Sequence, residues 1–379
     1  MILKISLQPL GKFFFGGENS FNEGDEKNRR ATYVLRSRQY PQQTGALGLI
    51  RNQLLLQNGL LWDNSCKVSD KAAARLLIGE HGFKVGYTGN YGIIQKISPV
   101  FFADANEQAL PQVPRDDVQM KKKNDDCETE SSWRMTFTQK HGRTLLEGYT
   151  EKSGLYDSVY LPEKADNLCL DKAFAKAEQV GITKAAKPNG KEVTDNDDEA
   201  GYYYQTFLTL DKESPVRGFV FYVELSDAES YTLGNNIVEF GGERSSFRMK
   251  VEETKLTSFP APDLAYRHTQ IATGVSAKRL VCLSPAYVNM DSLRKEAMLI
   301  VSQSLTFRFF ESELAKTEHY QALQRNGSKN GHALSESNLY QLLDRGSVIY
   351  FAPEQESTIS KLFDHTDFQN IGYNQFTIL

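Results

Sequence analysis

At 379 residues, 40% of them hydrophobic and 24% charged, the chain is too long for one ordinary compact domain and too apolar for disorder, so about two folded domains are expected. No apolar run approaches the roughly 20 residues of a membrane helix, and the alternating start from Met1 to Leu10 is not a signal-peptide core, so a soluble, cytoplasmic chain is expected. A net charge of −4 argues against a nucleic-acid binder that uses its whole surface, and Cys66, Cys127, Cys169 and Cys282 are too far apart for a zinc knuckle or a redox pair.

Leu3, Ile5 and Leu7 alternate with Lys4, Ser6 and Gln8, the period of a first strand with one wet face. Residues 1–60 hold eight cations against four carboxylates, a net of +4, while acid concentrates elsewhere, as at Asp195 to Glu199. A basic N-terminal face of this kind binds one stretch of nucleic acid or docks on an acidic partner, unless it is an ordinary solvated surface. After Tyr33 to Arg38, Thr44 reads as the N-cap of a helix carrying Leu47, Ile50, Leu54 and Leu55 and stopped by Asn58-Gly59.

Between about 100 and 200 the pattern degrades into charged and Gly/Pro-containing stretches, which read as inserted irregular loops. Tyr202 to Leu210 and Val216 to Leu225 then read as the two arms of a hairpin turned by Asp211 to Pro215. A short helix around Asp227 to Asn235, a Phe240-Gly241-Gly242-Glu243 turn and the strand Ser246 to Val251 complete the order strand, helix, two strands, helix, strand. That order predicts an α+β fold whose first unit, residues 1–255, is a ferredoxin-like βαββαβ domain with a large insertion. Residues 256–379 offer strands at Arg279 to Leu283, Leu305 to Phe310 and Ser347 to Phe351, a helix near Ser357 to Phe363 and a final strand Gln375 to Leu379, predicting a second such domain.

The two Phe-Gly-Gly-Glu segments, at Phe15 and Phe240, invite a metal-dependent cyclase or polymerase reading. That chemistry needs converging carboxylates, yet Arg244 follows Glu243 and Asn19 follows Glu18. Glycine pairs also let backbone N–H groups cradle phosphate, with Arg244, Ser245 and Ser246 adding donors; the plainer reading is a simple chain turn. The helix entry at Gln42, Gln43 and Thr44 is a second candidate anion site. A ring of Phe13-Phe14-Phe15 would serve base stacking if exposed, though such runs are more often core. Gly86, Gly89 and Gly92 lack the dinucleotide spacing, there is no Walker lysine, and six scattered histidines show no ligand spacing, so neither metal nor nucleotide cofactor is expected.

Phe13 to Gly17 followed by Tyr40-Pro41-Gln42-Gln43-Thr44-Gly45-Ala46-Leu47-Gly48-Leu49-Ile50-Arg51 closely resembles the start of CRISPR-associated RAMP proteins, nearest the third Cmr subunits of type III-B effectors. Ser98 to Phe102, Pro111 to Val118, Phe240 to Ser245 and Arg345 to Phe351 continue the resemblance in order. It implies a non-catalytic subunit of two ferredoxin-like domains that grips the crRNA 5′ handle beside the large polymerase-like subunit and a neighbouring backbone RAMP subunit, with no membrane contact. The expected RNA-binding residues are Lys12, Phe14, Gly16, Gly17, Arg30, Arg36, Arg38, Gln42, Gln43, Thr44, Arg51, Gly241, Gly242, Glu243, Arg244, Ser245 and Ser246. The rival expectations are a metal-independent crRNA-processing endoribonuclease and a purely structural assembly subunit.

Overall fold

The computed structural model describes residues 1–16, 19–22, 32–61, 68–117, 119–120, 132–133, 135–149, 151, 154–162, 166–182, 202–226, 230–262, 264, 270–314 and 335–379. The fold is mixed α/β, rich in strands, with several antiparallel sheets and few helices. The first sheet joins β1 (Ile2–Pro9), β2 (Ile94–Ile97), β3 (Phe101–Ala103), β4 (Ala109–Leu110), β5 (Gly218–Leu225), β6 (Asn236–Glu239) and β7 (Ser246–Glu253) in the order β6-β7-β1-β5-β3-β4, with β2 also on β5. All these pairs are antiparallel. In β1, Leu3, Ile5 and Leu7 face the core as their period demands. The opposite face is less wet than expected, because Ser6 is also buried and its hydroxyl donates to Glu107 at 2.9 Å.

Helix α1 (Gln43–Gln57) packs its apolar side, Ala46, Leu47, Ile50 and Leu54, into that core. Its stop follows the sequence: Gly59 takes φ +69°, and the Asn58 side-chain amide donates to the Leu54 carbonyl at 2.7 Å. Its start does not. Gln42 is the N-cap residue without a side-chain cap bond, and the Gln43 N–H donates instead to the Tyr373 hydroxyl at 3.2 Å. A tertiary partner has replaced the local Thr44 cap. Helix α2 (Lys71–Ile78), capped by Asp70, escaped the sequence reading.

Three other expectations fail here. Tyr202–Leu210 and β5 do not pair with each other: Tyr202–Leu210 lies between Phe174–Ile182 and Thr32–Arg36 in a separate four-stranded sheet that ends on Asn19–Asn22. Segment 211–217 therefore passes between sheets, because β5's apolar residues on both faces need the central place beside β1. The stretch from 100 to 200 is not uniformly irregular either, since strands occupy Thr136–Lys140, Arg143–Glu147, Ser158–Leu161 and Phe174–Ile182. Residues 230–235 form no helix; Thr232 and Gly234 instead hang on the side chains of Asn58 and Gln57.

The C-terminal half builds β8 (Lys278–Cys282), α3 (Met290–Glu296), β9 (Leu299–Val301), β10 (Val348–Phe351), α4 (Glu356–Leu362), α5 (Thr366–Gln369) and β11 (Phe376–Ile378). Its sheet runs β9-β10-β8-β11, again antiparallel throughout. Taking β1, β2/β3, β5 and β7 as first to fourth, the order fourth-first-third-second recurs in both halves.

The halves share one apolar core, in which Phe307, Phe309, Phe368, Ile371 and Tyr373 join α1 and β1. Polar seams reinforce it. The buried Gln43 amide donates to the Ser98 and Ile371 carbonyls at 2.9 and 3.0 Å and accepts from the Val100 N–H at 3.1 Å. Arg115, fully buried, pairs with Asp157 at 2.6 Å and Asp344 at 2.9 Å, and buried Arg279 pairs with Asp116 at 2.9 Å. Gly372 holds φ +89°, and a Cβ there would lie 2.5 Å from the Ser98 carbonyl oxygen. Gly372→Ala should therefore lower stability by about 2–4 kcal/mol. Gln43→Leu, which strips three buried backbone groups of their partner, should cost about 3 kcal/mol or more. Urea unfolding of the full chain measures both, and an unmoved midpoint in either variant would refute the seam's role.

Candidate nucleic-acid interface

Phe14, just before the first Phe-Gly-Gly-Glu segment, meets the second in space. Phe14 bridges to Gly242, whose N–H donates to the Phe14 carbonyl at 2.7 Å, and the Phe14 N–H donates to the Ser245 hydroxyl at 2.9 Å. Gly242 to Ser245 is a tight turn joining β6 to β7. The Ser245 N–H reaches the Gly242 carbonyl at 3.2 Å, and Glu243 and Arg244 hold φ +56° and +52°. Positive φ at both central residues is the type I′ signature of hairpins, here without its usual Asn-Gly.

This geometry revises the phosphate-nest expectation. The N–H groups of Gly242 and Ser245 are donated inside the protein, and Ser245, 3% exposed, spends its hydroxyl on the Gly242 carbonyl at 2.6 Å. What the glycines contribute is absence of bulk. With Gly16 and Gly45 they line a cavity of about 910 Å³ whose other walls include Arg38, Gln42, Thr44, Arg308, Phe310 and Leu339. Gly241 holds φ +89° with the Phe14 carbonyl oxygen 2.5 Å from any added Cβ, so this wall admits no side chain without strain. Among the described residues the lining contains two arginines and no carboxylate.

Arg38 is fixed from both halves. Its N–H donates to the Phe15 carbonyl at 2.9 Å and its guanidinium to the Thr306 carbonyl at 2.8 Å, while Ser37 accepts from the Phe15 N–H. A second cavity, of about 630 Å³, shares Arg38, Pro41 and Gln42 with the first and runs on past Arg36, Tyr40, Lys176 and Arg345. There Asp157, Asp171, Glu178 and Asp344 offset the cations, so it offers phosphate no net attraction. The Arg345 guanidinium lies 3.5 Å from the centre of the Tyr40 ring, and burial pushes the Tyr40 hydroxyl above its ordinary range, against the pull of Arg345. Burial likewise raises the Asp157 carboxyl, and Arg115 opposes it.

Of the expected RNA-binding residues, Gly16, Arg38, Gln42, Thr44, Gly241 and Gly242 converge on the larger cavity, and Arg36 reaches the smaller. Others fall elsewhere. Gln43, 1% exposed, is consumed by the seam between the halves. Arg51 is half-buried, with Nη1 3.3 Å from the Ser312 hydroxyl, and desolvation lowers its pKa to about 10. Phe14 is buried against Phe207 with ring centres 5.7 Å apart, and Phe13 and Phe15 are core as well, which removes all three rings from base stacking. Lys12 lies over the Phe207 ring and donates to Gln179 at 2.7 Å. Glu243, Arg244 and Ser246 are exposed on the hairpin turn but off the cavity wall, and Gly17 and Arg30 lie outside the described residues.

Arg308, Phe310 and Leu339 were missed. Their signal was present: along 307–310 buried Phe307 and Phe309 alternate with exposed Arg308 and Phe310, so the period of a strand puts the latter two on one side.

The profile of a family described as CRISPR-associated protein (Cas_Cmr3) matches residues 5–379. No curated protein matches the chain. Among solved structures, a chain of the Type III-B Cmr-beta bound to cognate target RNA is 13% identical with a TM-score of 0.48, and one of the same assembly with target RNA and AMPPnP is 11% identical with a TM-score of 0.45. Each alignment covers 99% of this chain and 96% of the other.

The turn geometry carries a prediction of its own. The double change Glu243→Asn, Arg244→Gly supplies residues suited to positive φ and should raise unfolding free energy by about 1 kcal/mol. A destabilised double variant in urea titration would overturn the turn assignment.

Proposed function

This chain belongs to the Cmr3 family of CRISPR-associated proteins, subunits of type III-B effectors, and from that premise we propose that it is a non-catalytic subunit that grips the 5′ handle of the crRNA. The observation that carries this is the larger cavity: Arg38 and Arg308 with side-chain-free backbone at Gly16, Gly45, Gly241 and Gly242, and no carboxylate among the described residues of the lining. A phosphate backbone needs close approach and positive charge, and it meets both here. The chain's net charge of −4 confines such binding to a short local grip rather than a long track.

The recurring strand order supports reading each half as a ferredoxin-like unit, the first having loop where a second helix would stand. Docking on the large polymerase-like subunit and on a neighbouring backbone subunit belongs to the same proposal and rests on the family. The non-catalytic role likewise belongs to the proposal and rests on the family.

Affinity for a handle-containing RNA should fall as salt rises, and Arg308→Gln should weaken binding and flatten the slope of log K against log salt by about 0.7, one single-strand phosphate contact. A salt-independent affinity would sink the proposal. Specific cleavage of repeat RNA by the purified chain, abolished by one His→Ala change, would replace it with the endoribonuclease reading.

A further inference from the structure

We propose that Phe310 is a stacking platform for one unpaired base, so that the cavity selects single-stranded RNA, an inference that rests on the RNA-binding reading above. Phe310 is 61% exposed and Leu339, on the same cavity, 56% exposed. Large apolar side chains held in water at this level beside an arginine pair call for a ligand with a flat apolar part and a negative part, which is the make-up of a nucleotide.

The ring is also held in place. Phe309, one residue back, is buried with Phe83, Phe307 and Tyr340, its ring 4.8 Å from that of Phe83. The Phe309 N–H donates to the Ser337 hydroxyl at 3.1 Å, and the Ser337 N–H returns a bond to the Phe309 carbonyl at 2.9 Å. Phe310 itself pairs with Glu336 across a short antiparallel ladder. The backbone under the exposed ring is thus tied on both sides, and stacking there costs little ordering.

Arg308 shares the exposed side with Phe310, and Arg38 and the glycine wall line the same cavity. Phosphates bound by the arginines would leave an adjoining base beside the ring. A base already stacked and paired in a duplex cannot present its face to Phe310, so the platform discriminates between strand states rather than between sequences.

The test uses the full-length chain and a 12-nucleotide handle-containing RNA carrying 2-aminopurine at successive positions, alone and annealed to its complement. One position should change fluorescence on binding, in the single strand only. Phe310→Ala should abolish that signal and weaken affinity about tenfold while leaving the salt slope unchanged, and Phe310→Trp should restore both. Since the side chain is exposed, the unfolding midpoint of each variant should match the parent, and the alanine–tryptophan comparison remains decisive if it does not. Parent protein that binds the RNA with normal salt dependence while Phe310→Ala keeps both affinity and signal overturns the stacking platform and leaves the RNA-binding reading standing. Equal affinity for the duplex also overturns it. Failure of the parent to bind the RNA at all defeats the underlying reading instead.

Discussion

A buried primary amide ties together the parts of the chain that surround the larger cavity. Gln43 begins the long helix, yet its side chain bonds backbone at Ser98 and Val100, in the connection between β2 and β3, and at Ile371 from the C-terminal half. Cavity walls come from residues 15–16, 38–45, 240–242, 306–310 and 339, so their mutual placement depends on the two halves not sliding. Apolar packing is non-directional and would tolerate small shifts, whereas three buried hydrogen bonds from one planar amide fix a register. The close approach of Gly372 is the backbone's share of the same constraint.

The charged seam does similar work nearby. Arg115 is fully buried between Asp157 and Asp344 and also donates to the Arg345 carbonyl at 3.1 Å, so the smaller cavity is bounded by a network joining both halves. Buried ion pairs add little net stability against apolar packing, but breaking one strands a charge, which makes such a network specific about geometry. Arg345 in turn donates to the Val100 carbonyl at 2.8 Å while covering the Tyr40 ring. The polar groups between the halves thus position the residues that face the cavities.

Much of the secondary structure could be read from the chain alone, because it follows from local pattern. The alternation in β1, the Asn58-Gly59 stop, β8, β10, α4 and β11 lie within a residue or two of where periodicity puts them, whereas the strand expected at Leu305 to Phe310 stops at Phe307 and pairs with Tyr340–Leu343 outside that sheet. Reading failed where partners are distant. Tyr202–Leu210 and β5 look like hairpin arms, but their partners are Phe174–Ile182, Thr32–Arg36 and β1, set by burial on both faces rather than by the intervening turn. Thr44 is of N-cap residue type, yet the Gln43 N–H donates to a tyrosine hydroxyl 330 residues away.

For the site, the sequence by itself pointed to segments that line the cavities, the glycine pairs and the helix entry at Gln42 to Thr44, and to the family to which they belong. Those are short-range signals, carried by residue type and spacing. Only the tertiary structure decided which side chains face the cavity. It turned Gln43, Arg51 and Ser245 inward, withdrew Phe13, Phe14 and Phe15 into the core, and brought Arg308 and Phe310 to the glycine wall from a distant stretch of chain. The physical reason is that inward or outward orientation depends on which surfaces an element buries against, and those surfaces come from the other half of the chain.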